Sequence, residues 1–135
     1  MTQSLVALAG FSAWTIALVF LVANTRLATS MKTGKGVNTF APDGSDTEGF
    51  AQRLTRAHLN CLELLPVAAA TILAAAVSGN GAITDPWAMI FLYARLGQTV
   101  VHLIGTSVPL VLIRALLFVV QLVILAVWLY KLLNV

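Results

Sequence analysis

The sequence predicts an all-α integral membrane protein, a bundle of four transmembrane helices in a single domain of residues 1–135. Of its residues 59% are hydrophobic and only 10% are charged, and its mean hydropathy is +0.92. The apolar residues also fall in long uncharged runs, as a helix that crosses the hydrocarbon core requires. Together these observations exclude a disordered chain and a soluble nucleic-acid binder, and argue against a soluble enzyme.

Four uncharged runs place the helices in order. With neutral His102 passed over, the runs cover residues 1–25, 64–84, 96–113 and 115–130. Backbone polar groups cannot go unpaired in lipid, so each span should be helical. Apolar and polar residues do not alternate, which argues against a transmembrane β-barrel. We therefore predict helices at about 4–29, 51–78, 86–105 and 109–133, with a loop at about 31–50.

The basic residues set the expected orientation. No basic residue precedes the first apolar run, so it is read as a retained helix and not as a signal peptide. The first connection contains Lys32 and Lys35 and is flanked by Arg26 and Arg53, whereas the other two connections have no Lys or Arg. The positive-inside bias places this loop in the cytoplasm and both termini outside, although Lys131 at the outer end opposes it. The absence of organelle targeting signals favours a bacterial inner membrane.

Polar side chains share one face on each of two helices. At 100° per residue, the sets occupy arcs of roughly 80° on helix 2 and 60° on helix 3. They are Arg53, Arg56, Asn60 and Glu63 on helix 2, and Arg95, Gln98 and His102 on helix 3. Arg26 closes helix 1, and Arg114 lies near the start of helix 4 with Gln121 on nearly the same stripe. We expect one polar pocket that opens toward the cytoplasm or the inner headgroup region.

The charges in this predicted pocket are unbalanced. All five arginines of the chain would face a single acid there, Glu63. Arginine binds carboxylates through two parallel hydrogen bonds, and Glu63 with Asn60 could hold an amine. A small zwitterion with excess carboxylate therefore fits the pocket. The alternative is an internal network of ion pairs that only stabilises the bundle.

The helix 2 motif resembles the signature of a known family. The run from Arg56 to Pro66, RAHLNCLELLP, is similar to the pattern Arg-Ala-(His/Gln)-x-Asn-x-x-Glu, followed by Pro, of the MAPEG family. These are the membrane-associated proteins of eicosanoid and glutathione metabolism. The run 94–96 (Ala-Arg-Leu) and an arginine at the start of helix 4 also resemble the family. The resemblance covers nearly the whole chain.

The resemblance implies a homotrimer with glutathione, as cosubstrate, bound between neighbouring subunits. Arg114 resembles the helix 4 arginine that stabilises the glutathione thiolate, and a cation beside a thiol does favour this nucleophilic form. His58 points roughly 140° away from the arginine face of helix 2. The family pattern implies that it faces a neighbour's site in a trimer, whereas in a monomer it would be a lone polar residue in need of a partner. By position, the resemblance implies that Arg56, Asn60 and Glu63 bind glutathione and that Arg53 and Arg95 help to shape the site. The full predicted glutathione-binding set is Arg26, Arg53, Arg56, His58, Asn60, Glu63, Arg95, Gln98 and His102.

Some positions depart from the family pattern. Gln98 and His102 stand on helix 3 where eicosanoid synthases carry aromatic hydroxyls, and Ala115 stands where some members have Ser. A specialised eicosanoid synthase is therefore not supported. Gln98 and His102 could still hydrogen-bond a ligand, and His102 either lines the pocket or takes part in acid–base chemistry.

Our first functional hypothesis is a glutathione transferase or peroxidase that acts on lipophilic electrophiles or lipid hydroperoxides. The substrate would arrive from the bilayer at a flank of helix 4 formed by Phe118, Leu125 and Trp128. The second hypothesis is a non-catalytic trimer that keeps the family scaffold and binds glutathione or another small anion. A third is a small carrier of cations, with Glu63 as its lone acid, although the surrounding arginines would repel cations.

Two further residue types have simpler interpretations. Cys61 is the only cysteine, so no internal disulfide can form, and we read it as a small buried hydrophobic residue. We predict no metal site, because the two histidines lie on different helices and no Cys or Asp joins them.

Overall fold

A computed structural model describes all residues 1–135 and contains four α-helices and no strands. The helices are α1 (Gln3–Thr33), α2 (Gly49–Val77), α3 (Asp85–Ile104) and α4 (Val108–Leu133), with one 3₁₀ turn at Gly81–Ile83. All four helices are long and apolar enough to cross a membrane. The predicted class, an all-α four-helix membrane bundle, is confirmed.

The first helix is longer than its apolar run predicted. It continues to Thr33 instead of ending near residue 29, which shortens the loop to residues 34–48. The extra turn is polar, and the hydroxyls of Thr29 and Thr33 each donate to the main-chain carbonyl four residues earlier. Gly34 ends the helix in the left-handed conformation at φ 73°, and its N–H donates to the Ser30 carbonyl. Hydropathy marks the membrane boundary, whereas the glycine marks the helix end.

The core lies where α3 packs against both α1 and α4. The Phe91 ring stands 6.1 Å from that of Phe11 and 5.6 Å from that of Trp128, measured between centroids. Trp128 and Leu125 are buried, so the expected substrate flank at these two residues is wrong. Their side chains gain more contact inside the bundle, where aromatic rings can pack edge to face. Phe118 alone of that predicted flank remains half-buried.

A polar contact joins the N-terminal ends of α1 and α3. The Ser4 N–H and the Ser4 hydroxyl both donate to the Asp85 carboxylate. This pairing fixes the start of α1 against the start of α3. Asp85 is also the first residue of α3, where a negative charge is favoured by the free N–H groups of the helix terminus.

The 34–48 loop is folded onto the ends of α1 and α2. Lys35 Nζ lies 2.9 Å from an Asp46 carboxylate oxygen. The Phe40 ring lies 5.2 Å from that ammonium and 5.8 Å from the Arg26 guanidinium, within the range of cation–π attraction. Gly44 is buried against Thr55 of α2 at φ 73°. These contacts hold the loop against the two helices.

Gly44→Ala should loosen this loop more than Gly34→Ala. Both glycines have φ 73°, so both alanines bear the cost of the left-handed conformation, about 1 kcal/mol or more. Only at Gly44 would the new Cβ also meet a neighbour, the Thr55 Cβ at 3.0 Å, since nothing lies within 4 Å at Gly34. Limited trypsin digestion of the detergent-purified protein should cut the loop fastest in Gly44→Ala. Equal cleavage rates in the two variants would contradict the packing of Gly44 on α2.

Candidate functional site

The polar residues of the spans do not gather at one place: some line one of two separate surfaces of the chain, and others line neither. We expected a single pocket, and for a single chain that expectation is wrong. Asn60, Gln98 and Arg114 line one cleft, whereas Arg26 and His58 line another groove. The reason is that α2 presents different residues to its neighbours: His58 faces the side of α1, and Asn60 faces the side of α4.

The first surface is the Arg114 cleft, formed where α4 passes α2 and α3. It has a volume of about 220 Å³ and is lined by Asn60, Gln98, Val111, Arg114, Ala115 and Phe118. Arg114 has no ion-pair partner, because the chain's only salt bridge joins Lys35 to Asp46. An unpaired guanidinium in a small cleft is suited to binding an anion.

Gln98, which lines the Arg114 cleft, is hydrogen-bonded to a second buried amide, Gln121, behind it. Gln121 Nε2 donates to Gln98 Oε1 at 2.9 Å and to the Leu117 carbonyl at 2.8 Å. Gln121 is fully buried and Gln98 is 4% exposed. Gln121 was expected on nearly the same helical stripe as Arg114, but no role was predicted for it. Its seven-residue spacing from Arg114 was the only signal available.

Arg95 lies behind the cleft and not in it. It is 1% exposed, its Nη1 donates to the Asn60 carbonyl at 3.4 Å, and its guanidinium lies 5.4 Å from the Phe11 ring centroid. Its Nε and Nη2 have no hydrogen-bond partner. Arg95 therefore supports the backbone of α2 at Asn60 and does not line either surface.

Arg53 and His102 lie near the end of α3. Arg53 Nε donates to the Leu103 carbonyl at 3.0 Å, which satisfies one of the free carbonyls of the last helical turn. His102 is buried in the last turn of α3. The Arg53 hydrogen bond joins α2 to the end of α3.

The second surface is the Arg26 groove, between α1, α2 and the loop. It has a volume of about 360 Å³, and its polar lining residues are Arg26, Thr55 and His58. Arg26 Nη2 donates to the Ala41 carbonyl at 3.3 Å, which ties the groove to the loop. The His58 Nε2 atom is buried without a hydrogen-bond partner. The groove therefore has one cation and one unsatisfied imidazole nitrogen.

Arg56 and Glu63 occupy neither surface. Both side chains are exposed on α2, and neither forms a salt bridge within the chain. A charged group that faces lipid is costly. This face of α2 presents one positive and one negative charge that the chain itself does not pair.

Cys61 is buried, as predicted, and its sulfur lies 3.7 Å from the Thr99 hydroxyl oxygen. No three His, Cys, Asp or Glu side chains lie close enough together to bind a metal ion.

Comparison with known proteins gives one match. The model of the MAPEG family matches residues 4–134 of the 135, which is nearly the whole chain. No curated protein and no solved structure matches the chain significantly.

The order of the loop beside the Arg26 groove should depend on pH. Hydrogen bonds from the Lys35 ammonium and the Ala41 N–H hold the pKa of Asp46 below its ordinary value of 3.8. A carboxyl whose pKa is lowered by folding stabilises the fold above that ordinary value, and the contribution is lost as the pH falls through the lower folded value. Hydrogen exchange in residues 35–46, corrected for intrinsic rates, should stay slow down to about this value and accelerate below it.

The matched control for this experiment is Asp46→Asn, which removes the titrating group. Its loop should exchange faster at neutral pH and show a weaker acid dependence. If both proteins gave the same pH profile, the Lys35–Asp46 contact would not stabilise the loop.

Proposed function

This chain belongs to the MAPEG family, and we propose that it is a glutathione-dependent membrane enzyme. Its reaction would be a glutathione transfer to lipophilic electrophiles or the reduction of lipid hydroperoxides. Family membership supports the coarser statement, a multi-pass membrane protein of the glutathione and eicosanoid metabolism family. The observation that carries the finer proposal is the unpaired Arg114 guanidinium in a cleft with Asn60 and Gln98.

In this proposal the Arg114 cleft and the Arg26 groove form one site between neighbouring subunits of a homotrimer. The cleft, at about 220 Å³, is smaller than the roughly 300 Å³ at which ligand pockets usually begin. Arg56 and Glu63 are exposed on α2 without an ion-pair partner. A second subunit with its groove against this face would enlarge the site and cover both charges.

Glutathione suits the charges of such a site. Its two carboxylates would accept hydrogen bonds from arginines such as Arg26 and Arg56, and its amine would lie near Glu63 and Asn60. The thiol would lie at Arg114, where a positive charge favours the thiolate. The remaining proposed contributors are His58, Gln98 and His102, with Arg53 and Arg95 in support of the backbone.

The chemistry follows from the thiolate. In a transfer, the sulfur electron pair forms a bond to an electrophilic carbon, and the leaving group departs with its own electron pair. In a reduction, two glutathione molecules are oxidised to the disulfide while the hydroperoxide becomes an alcohol and water. The apolar wall of the cleft, formed by Val111, Ala115 and Phe118, would receive the lipophilic substrate from the bilayer.

We place the basic loop in the cytoplasm of a bacterial cell, with both termini outside the inner membrane. Lys32 and Lys35 support this orientation through the positive-inside bias. Glutathione would then enter from the cytoplasm.

A second candidate is a glutathione-binding trimer without enzymatic activity. It is favoured by one observation: no hydroxyl lines the Arg114 cleft, whose lining residues include Ala115, Phe118 and Gln98. Binding and thiolate formation without turnover of any electrophile or hydroperoxide would select this candidate.

Arg114→Ala should lower the bound thiolate about tenfold or more while glutathione still binds. A hydrogen bond to a charged group contributes about 1.5–3 kcal/mol, and in this variant the other arginines still bind the carboxylates. The ultraviolet absorbance of the thiolate, measured at saturating glutathione, checks this. Arg114→Lys is the control, and it should keep part of the signal because the positive charge remains. An unchanged thiolate signal in Arg114→Ala would exclude the proposed role.

Mixed trimers test whether the site is shared between subunits. Arg26→Ala damages only the groove and Asn60→Ala only the cleft, so each homotrimer should bind glutathione weakly. In a head-to-tail ring of randomly mixed subunits, about a quarter of the sites should combine an intact cleft with an intact groove. Co-expression followed by equilibrium dialysis should therefore recover about that share of wild-type sites. No recovery in mixed trimers would mean that both surfaces act within one subunit, whereas normal binding by either homotrimer would mean that the surface changed in it is not used.

A further inference from the structure

The hydrogen bonds of Gln121 determine which end of each amide faces which partner. The Leu117 carbonyl can only accept, so the Gln121 side-chain atom 2.8 Å from it must be the amide nitrogen. The Gln121 oxygen is consequently left buried without a partner. The opposite orientation would place two acceptors against each other, which is worse than one unsatisfied oxygen.

The same nitrogen settles the orientation of Gln98. It lies 2.9 Å from the Gln98 side chain and donates there, so the Gln98 atom that receives it must be the oxygen. The Gln98 amide nitrogen donates to no protein group, and it is not among the fully buried atoms that lack a partner. Gln98 lines the Arg114 cleft. Its N–H group is therefore the polar end available to a ligand.

We infer that Gln121 is a positioning residue, which aims the Gln98 amide donor at an anionic atom held by Arg114. The inference rests on the proposed function, in which that atom is the glutathione sulfur. The cleft then presents a guanidinium and an oriented amide to the sulfur. Neither group can accept a hydrogen bond from a neutral thiol, whereas both can donate to a thiolate. Gln121 thus increases the preference for the ionised form without touching the ligand.

Gln121→Met tests this inference in the full-length protein. Met has a similar length and no amide, so the Gln98 amide loses the partner that orients it. We expect about a tenfold fall in bound thiolate at saturating glutathione, the size expected for one hydrogen bond to a charged group. Gln121→Asn is the second variant, since its shorter amide can still bond within α4 but does not reach Gln98. It should lower the thiolate signal in the same way.

A double-mutant cycle separates positioning from packing. If Gln121 acts through Gln98, then Gln121→Met should have almost no further effect on the thiolate signal in a Gln98→Met background. Thermal unfolding of each variant reports the packing contribution separately. A thiolate signal equal to wild type in both Gln121 variants would overturn the inference, and so would an undiminished effect in the Gln98→Met background.

The wild-type measurement distinguishes this inference from the proposed function. Wild-type protein that binds no glutathione would overturn the proposed function, and the inference with it, before any variant is compared. Wild-type protein that forms the thiolate while Gln121→Met and Gln121→Asn also form it fully would leave the function intact and overturn only the role of Gln121.

Discussion

An ionised side chain within a membrane helix needs a partner, and this requirement organises the polar half of the bundle. Main-chain carbonyls accept a hydrogen bond from three of the arginines: Arg26, Arg53 and Arg95. These contacts join α1 to the loop, α2 to the end of α3, and α3 to α2. The charges of Arg56, Glu63 and Arg114 have no ion-pair partner in the chain. On our proposal, these charges lie where glutathione and a neighbouring subunit meet the chain.

The hydrogen bonds to main-chain carbonyls distinguish structural arginines from those available to a ligand. Arg95 is the clearest structural case, since it is buried beside Phe11 and supports Asn60 from behind. Arg114 is the clearest available case, because it lines a cleft in which Gln98 is held by a second glutamine. In the proposed enzyme, the first arginine maintains the shape of the site and the second stabilises the charge that develops on sulfur. A single chain contains both kinds of arginine, but on our proposal it contributes only part of each glutathione site.

Local sequence patterns predicted the helices and the family, but they could not predict the contacts between helices. The uncharged runs and the Arg56–Pro66 motif are made of residues that are contiguous in the chain, so both can be identified from the sequence alone. The 100° periodicity placed the polar residues of α2 on one arc but could not show which neighbour covers each part of it, so one pocket was expected where two surfaces exist. The burial of Trp128 and the bond between Gln98 and Gln121 both depend on distances between helices that spacing does not encode.

Native mass spectrometry in mild detergent would test the central claim, that glutathione binds between subunits, most directly. It reports the number of subunits and the number of bound ligands in the same particle. The account predicts that glutathione is found on trimers, and that monomers released at higher collision energy or in harsher detergent carry none. Monomers that retain glutathione with the affinity of the intact protein would contradict the account, because the site would then be complete within one chain.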